Sequence, residues 1–471
     1  MARRRLVWFR NDLRVTDQIA FSEAMRGGPV IAVHCLCPAQ LQEHDVGGNR
    51  VAFTLRCLAE LREQLDALGV PLRQLVLPTF AAVPEGLLEL AQSVGAASLW
   101  FNDEYPLNEQ RRDAAVAKRF EDEGLEVHRF TDSVMRAPGS VLTGAGDPYV
   151  VFTPFRRRWL AELDLSSARP RARPASQQRP AVAADPVPDM PDGFEETCDG
   201  DLWPGGEQEA NRRLEHFIAE YADDYAERRD LPALPGTSTL SPYLSVGAIS
   251  PRSCLDAALA ANDGRIDSGS KGITTWITEL VWREFYRHVI AAFPHVSRGH
   301  AFRREYDDLQ WREDPEALAA WQEGRTGYPL VDAAMLQLRA TGWMHNRLRM
   351  ATAMFLSKNL LLDWHQGERW FMQQLVDGDF ASNNGGWQWS ASTGTDAAPY
   401  FRVFSPISQS QRFDPDASFI REWLPRLRDV EPKLIHDPTR ANGTPGHVPP
   451  IVDAKASRQR AIDAFRMHAE R

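Results

Sequence analysis

Five short apolar or β-branched runs punctuate residues 1–130: "RLVWF" (5–9), "PVIAVHC" (29–35), "RQLVLP" (73–78), "ASLWF" (97–101) and "EVHRF" (126–130). Each reads as a strand. Between them apolar positions recur at helical spacing, most clearly in "NRVAFTLRCLAELREQLDALG" (49–69), which closes on Gly69. This alternation predicts an α/β domain, a doubly wound parallel sheet wrapped by helices, with ligand space at the carboxyl ends of its strands. No G-x-G-x-x-G follows the first strand, so dinucleotide binding there has no support. The pattern then changes. Residues 165–193, "LSSARPRARPASQQRPAVAADPVPDMPDG", hold six prolines and almost no bulky apolar residue, and predict a linker running over the surface. From about residue 205 the periodicity is helical, with few strand-like runs and no internal repeat. The chain therefore divides into an α/β domain (1–132), a linker (133–204) and an all-α domain (205–471).

Two helices in the second half carry unusual faces. In "WITELVWREFYRHVI" (276–290), Ile277, Leu280, Val281, Phe285 and Val289 form a buried stripe. Trp276, Glu279, Trp282, Arg283 and Tyr286 lie opposite. That mixture suits stacking on flat rings and hydrogen bonding to their edges, although a domain-interface helix would also accommodate it. In "GWMHNRLRMATAMFLSKNLLLDW" (342–364), Met344, Leu348, Ala351 and Phe355 make the packing face, while Trp343, Asn346, Arg349, Met350 and Ala353 share another surface. Met350 as a simple core filler is the commoner fate of a methionine. In "GTSTLSPYLSVGAIS" (236–250), Ser241 reads as an N-cap and Pro242 as the first helical residue. Hydroxyls and free amides gathered before a helix form a seat for phosphate, though most Ser-Pro helix starts bind nothing.

Composition narrows the class. Of 471 residues, 43% are hydrophobic and 25% charged, the range of a soluble globular protein. The basic start "MARRRLVWFRNDLR" loses its apolar character after Phe9, against a signal-peptide core, and no later stretch approaches a membrane span. The five cysteines, with no C-x-x-C pair, argue against zinc or a disulfide framework and predict a reduced, cytoplasmic protein with no metal site. The net charge of −10 looks wrong for nucleic acid, yet arginines crowd the second half. Counts alone favour solvated arginines; a basic face on an acidic body stays open, because phosphate binding follows the local field. Of the 14 tryptophans, 11 lie after residue 200. "DGDFASNNGGWQW" (377–389) concentrates acids, amides, glycines and indoles without any nucleophile.

Taken in order, "LVWFRNDLR", "GTSTLSPYLSVGAIS", "WREFYRH", "GYPLVDAAMLQLRATGWMHNRLRM" and "DGDFASNNGGWQWSASTGTDAAPYFRVFSP" resemble the photolyase/cryptochrome family over nearly the whole chain except the proline-rich stretch. More narrowly they resemble its class I cyclobutane pyrimidine dimer photolyases. The resemblance implies a folded FAD inside the helical domain, held by Tyr225, Thr237, Ser238, Thr239, Leu240, Ser241, Trp276, Arg349, Asp377, Gly378, Asp379 and Asn383. A flavin supplies the reactive electrons itself, which explains acids and amides without a nucleophile. Asn383 matches the residue at flavin N5, where an amide both donates and accepts and tolerates an anionic reduced ring.

The implied reaction is light-driven: excited reduced FAD lends an electron to a flipped-out pyrimidine dimer, the cyclobutane ring opens, and the electron returns. Photolyases are among the base-flipping enzymes. Trp282 and Trp389 would wall the lesion pocket, and Glu279, Asn346 and Met350 would line it, with Glu279, Asn383 and Met350 nearest the chemistry. Arg229, Arg283, Tyr286, Arg347, Arg402 and Gln409 would meet the DNA. Trp387, Trp364 and Trp311 match a chain of indoles that carries electrons to oxidised flavin. His44, Asn108 and Glu109 match the positions that hold a 5,10-methenyltetrahydrofolate antenna, with Arg298 where folate-type relatives carry Lys; a deazaflavin antenna or an empty site is the alternative. The expected partner is UV-damaged DNA, bound by a monomer away from membranes. The competing class is a cryptochrome that signals through protein contacts. Against it stand Asn383, where sensors carry Asp or Cys, the absence of a long tail after "KASRQRAIDAFRMHAER", and the complete pocket. Relatives acting on the (6-4) adduct carry histidines at the positions of Asn346 and Met350, so "HNRLRM" favours cyclobutane dimers.

Overall fold

The computed structural model describes residues 3–440 and 446–469. Its sheet has five parallel strands, β1 (Arg4–Phe9), β2 (Val30–Leu36), β3 (Leu72–Val76), β4 (Ala96–Asn102) and β5 (Glu126–Phe130), in the order β3-β2-β1-β4-β5. All five runs expected from the pattern form strands, and the 49–69 periodicity forms the helix Gly48–Ala67. Chain order reverses at β1, which pairs with β2 on one side and β4 on the other. The period of two assigns the faces. Leu6 and Trp8 pack into a core shared with Val83, Leu87 and Phe101, whereas Val7 and Phe9 enter a core that continues through Tyr243, Trp276 and Leu280. One face of the sheet is thus built into the helical part of the molecule.

Buried ion pairs lock that junction. Arg252 reaches both Asp17, at 2.9 Å, and Asp132, at 2.7 Å, and Arg14 pairs with the same Asp132 at 2.6 Å. The proline-rich stretch straps the α/β domain without regular structure, as expected: the Gln177 side-chain amide both donates to and accepts from the Val30 backbone, each at 2.8 Å. Within the span read as linker the chain nevertheless forms a helix, Phe152–Glu162, whose Phe152, Phe155 and Trp159 are buried. Three consecutive arginines between Phe155 and Trp159 obscure its periodicity.

A second difference lies at 342–364, where one helix was expected. The structure has a helix Asn346–Met354, a π-turn Phe355–Leu360, a reversal at Leu361 with φ +55°, and a new helix Trp364–Gln374. Every residue from Ala351 to Leu362 is buried, so no polar face exists to reveal the break. Among the described residues no helix is long and apolar enough to cross a membrane.

Candidate functional site

The sequence 377–389 folds as a capped helix. Asp379 is the N-cap of Phe380–Ala391, its Oδ2 accepting the Ser382 N–H at 3.0 Å and its Oδ1 lying 2.9 Å from Arg287. Burial alone would raise its carboxyl; Arg287, Arg283 and the Ser382 hydrogen bonds outweigh it and hold the group at about 2. The amides form a ladder. Asn383 Nδ2 donates to the Glu368 carbonyl at 3.0 Å, Asn384 Nδ2 to Glu368 Oε1 at 2.8 Å, and Gln388 Nε2 to Asn384 Oδ1 at 2.8 Å. Burial pushes Glu368 up to about 7. Gly385 lies so tightly on the Tyr286 ring that no Cβ fits, which accounts for a glycine inside this helix.

Around this helix the structure gathers the residues expected to hold a cofactor. Arg349 Nη2 lies 2.8 Å from Asp377 Oδ2, while Asp377 Oδ1 is buried with no partner. Tyr225 and Trp276 are buried, and both rings meet Phe217, at 5.7 and 4.8 Å. Thr237 and Ser238 are half-buried, Leu240 is buried, and Thr239 stands at φ +50° with its hydroxyl 3.1 Å from Arg213 Nη1. A β-branched residue in the left-handed region is strained, and such strain clusters at ligand sites. The helix here is Ser241–Val246 with Leu240 as the cap residue. This corrects the expected Ser241 cap: the Ser241 hydroxyl instead lies 3.3 Å from Trp343 Nε1, and no side chain caps the turn. Gly378 follows Asp377 and contributes its carbonyl to Arg50.

Of the residues expected at the lesion, Glu279, Trp282 and Tyr286 lie on the Lys271–Ala292 helix. Trp282 stacks on Phe152 at 3.5 Å and 8°, with Tyr286 5.7 Å away. Glu279 is paired with Arg229; burial raises its carboxyl and Arg229 opposes that shift. Arg347 pairs with Asp230 at 2.9 Å and lies over Phe413, Asn346 and Arg402 are exposed, and Met350 and Trp389 are half-buried. Gln409 is half-buried, its Oε1 without a partner. Arg283 departs from expectation. Its guanidinium donates to the carbonyls of Ser133, at 2.6 Å, and Leu244, at 3.2 Å, and lines the inter-domain cavity. Burial pushes it down to about 9. A sequence cannot say which way a long side chain leaves a helix whose two sides are both occupied.

That cavity, of about 590 Å³, lies between the carboxyl ends of the strands and the helical domain. It unites His44, Asn108, Glu109 and Arg298, and reaches Gly378 and Asp379. His44 Nε2 lies 2.9 Å from Asn108 Nδ2, and His44 Nδ1 lies 3.6 Å from Glu109 Oε1, whose carboxyl burial pushes up to about 7. Sequence reasoning missed the inner wall of Arg10, Glu104 and Arg112. Arg10 follows β1 and Glu104 follows β4, the two strands that lie side by side where strand order reverses. Trp387 and Trp364 are buried and Trp311 is half-buried, all against one apolar cluster. A backbone bridge from Arg312 to Leu362 brings Trp311 beside the Trp364 turn. Trp321, not singled out beforehand, meets Trp387 edge-on at 6.0 Å.

Comparison with known proteins agrees with this architecture. A family model described as DNA photolyase matches residues 5–177, and one described as the FAD binding domain of DNA photolyase matches 276–467. The deoxyribodipyrimidine photo-lyase of Salmonella typhimurium is 45% identical over 98% of each chain. The class III photolyase of Agrobacterium tumefaciens superposes with a TM-score of 0.89 at 35% identity, covering 100% of this chain and 98% of that one. A Synechocystis cryptochrome reaches 0.84 at 27% identity over 98% and 99%. The fold is therefore common to repair enzymes and sensors, and the site must separate them.

Proposed function

We infer the function from the premise that the chain belongs to the DNA photolyase family: it is a light-dependent lyase that reopens cyclobutane pyrimidine dimers in DNA, with FAD as its cofactor. The observation that carries the reading is whole-length kinship with deoxyribodipyrimidine photo-lyases together with an amide, Asn383, anchored on the Glu368 carbonyl, and the buried Asp377, whose Oδ1 has no partner among the described residues. The residues fit the cofactor. Asp377 Oδ1 is a buried acceptor lacking a donor, as a ligand N–H or hydroxyl would require, and Thr239 is strained at the turn that would carry the phosphates.

Bound FAD supplies, when reduced and excited, the electron that opens the ring. The chain's own groups do the rest. Arg349 and Asp377 would hold the ring's polar edge, and Asn383, its Nδ2 held by the Glu368 carbonyl, would offer Oδ1 to it. On the lesion side Trp282 and Trp389 would offer apolar walls, and Met350 would line the pocket. Glu279, kept closer to neutrality by burial, hydrogen-bonds the pyrimidine edge, and Arg229 steadies it. Arg347 and Arg402 take the phosphates, with Asn346 and Gln409 at the rim. Trp387, Trp364 and Trp311, all against one apolar cluster, would form the route by which electrons reach the flavin. We assign the cavity of His44, Asn108 and Glu109 to a methenyltetrahydrofolate antenna, the Glu109 carboxyl meeting the pterin edge, and we take the working unit as a monomer.

A dark binding assay tests the pocket. A duplex carrying one thymine dimer should bind tighter than its undamaged copy, and Trp389→Ala should bring the two affinities together. Equal affinities for both duplexes in the parent protein would contradict the lesion pocket.

A further inference from the structure

We propose that His365 governs how readily Trp364 gives up an electron, so that photoactivation of the flavin in this protein rises with pH; the inference rests on the tryptophan chain proposed above. The imidazole lies on the indole of Trp364 with centroids 3.8 Å apart and planes 28° from parallel. Its Nδ1 lies 2.8 Å from Asp363 Oδ1, and Asp363 also caps the Trp364–Gln374 helix by accepting the His365 N–H at 3.0 Å. The other groups facing this pair are Glu368 and Arg369 on the same helix and the backbone of Gly299, with Asp45 across the cleft acting on Glu368 and paired with Arg369. Burial favours the neutral imidazole, but Asp363 and Glu368 outweigh it, so His365 titrates above an ordinary histidine.

The charge beside Trp364 therefore depends on pH. With His365 neutral, Asp363 leaves an uncompensated negative charge at the indole. With His365 protonated, that charge is cancelled and a cation rests on the ring face, which stabilises the electron-rich indole and opposes its oxidation. The step affected is a single electron transfer. Trp364 gives one electron to oxidised Trp387 and becomes positively charged. Trp311 then refills Trp364, and a thiol in solution restores Trp311, releasing its proton and ending as half a disulfide. The net flow is one electron from thiol to oxidised flavin. Repair starting from reduced flavin does not use Trp364 and is indifferent to His365.

The test is the pH profile of flavin photoreduction in the FAD-loaded protein with thiol present, beside a nitrogen-15 NMR titration of its imidazoles assigned with His365→Gln. The parent yield should rise at least about threefold across the His365 midpoint, which should lie above 6.5. His365→Gln should be flat at the high level, and Asp363→Asn, which keeps a cap acceptor, should still rise with pH but with its midpoint moved down, because His365 loses the carboxylate that raises it. A parent profile that does not follow the His365 midpoint overturns the inference, as does an unchanged profile in His365→Gln. Trp364→Phe separates this from the parent reading: if photoreduction survives it, the tryptophan chain itself is wrong and the inference falls with it.

Discussion

Replacing Asp379 by Asn tests whether the flavin loop is organised by charge. The asparagine keeps an acceptor for the Ser382 N–H, so the helix cap survives. What is lost is the only carboxylate within 3 Å of Arg287 among the described residues, in a side chain 22% exposed against a guanidinium 9% exposed. The folded carboxyl titrates at about 2 against an ordinary 3.8, and that gap at about 1.36 kcal/mol per pH unit is worth about 2.4 kcal/mol. The sign follows from the lowered folded value: the contribution is fully present above pH 3.8 and is lost as pH falls through about 2. Stranding Arg287 and Arg283 without the carboxylate adds to the loss, since breaking a buried pair costs about 3–5 kcal/mol when complete. Asp379→Asn should therefore lower unfolding stability at pH 7 by roughly 2–4 kcal/mol. Urea titration followed by both far-UV circular dichroism and flavin fluorescence checks it, the two probes guarding against separate unfolding of the parts. A variant within about 0.5 kcal/mol of the parent at pH 7 would refute the reasoning.

Trp311→Phe should fold and bind FAD but photoreduce oxidised flavin poorly, while repairing dimers at close to the parent rate once its flavin is chemically reduced; lost repair with reduced flavin would mark Trp311 as structural. Arg402→Ala should lower the log–log salt slope of DNA binding by about 0.9, the loss of one phosphate contact, whereas Arg283→Ala should leave that slope unchanged and weaken thermal stability instead. Glu109 titrates at about 7, so an antenna bonded to its carboxylate should be lost as pH falls below that value and be held independently of pH in Glu109→Gln. Near-ultraviolet absorbance after gel filtration at pH 6 and pH 8 checks it, and a deazaflavin spectrum on extraction would contradict the folate assignment.

The fold was legible because its signals are local. Strand runs such as "RLVWF" bury both faces, and the 49–69 helix shows its stripe. The break at Leu361 was not legible, because a segment buried on every side has no polar positions to set a phase. The site divides likewise. Arg349 with Asp377 and His44 with Asn108 and Glu109 meet as expected from their positions in the motifs. Arg283 was misread because its helix serves two surfaces, and which one a guanidinium reaches depends on carbonyls of Ser133 and Leu244, distant in sequence. The Arg10–Glu104–Arg112 wall was missed for a related reason: it exists only once β1 and β4 lie side by side.

The most direct test of the central claim is repair itself. Protein carrying reduced FAD is mixed with an oligonucleotide containing one cyclobutane thymine dimer, and intact thymines are counted with and without near-ultraviolet or blue illumination. Restoration in the light, none in the dark, and a steep loss in Glu279→Ala are the expected results. Dimers that remain intact after illumination of the fully reduced protein would contradict the account and leave a light sensor in its place.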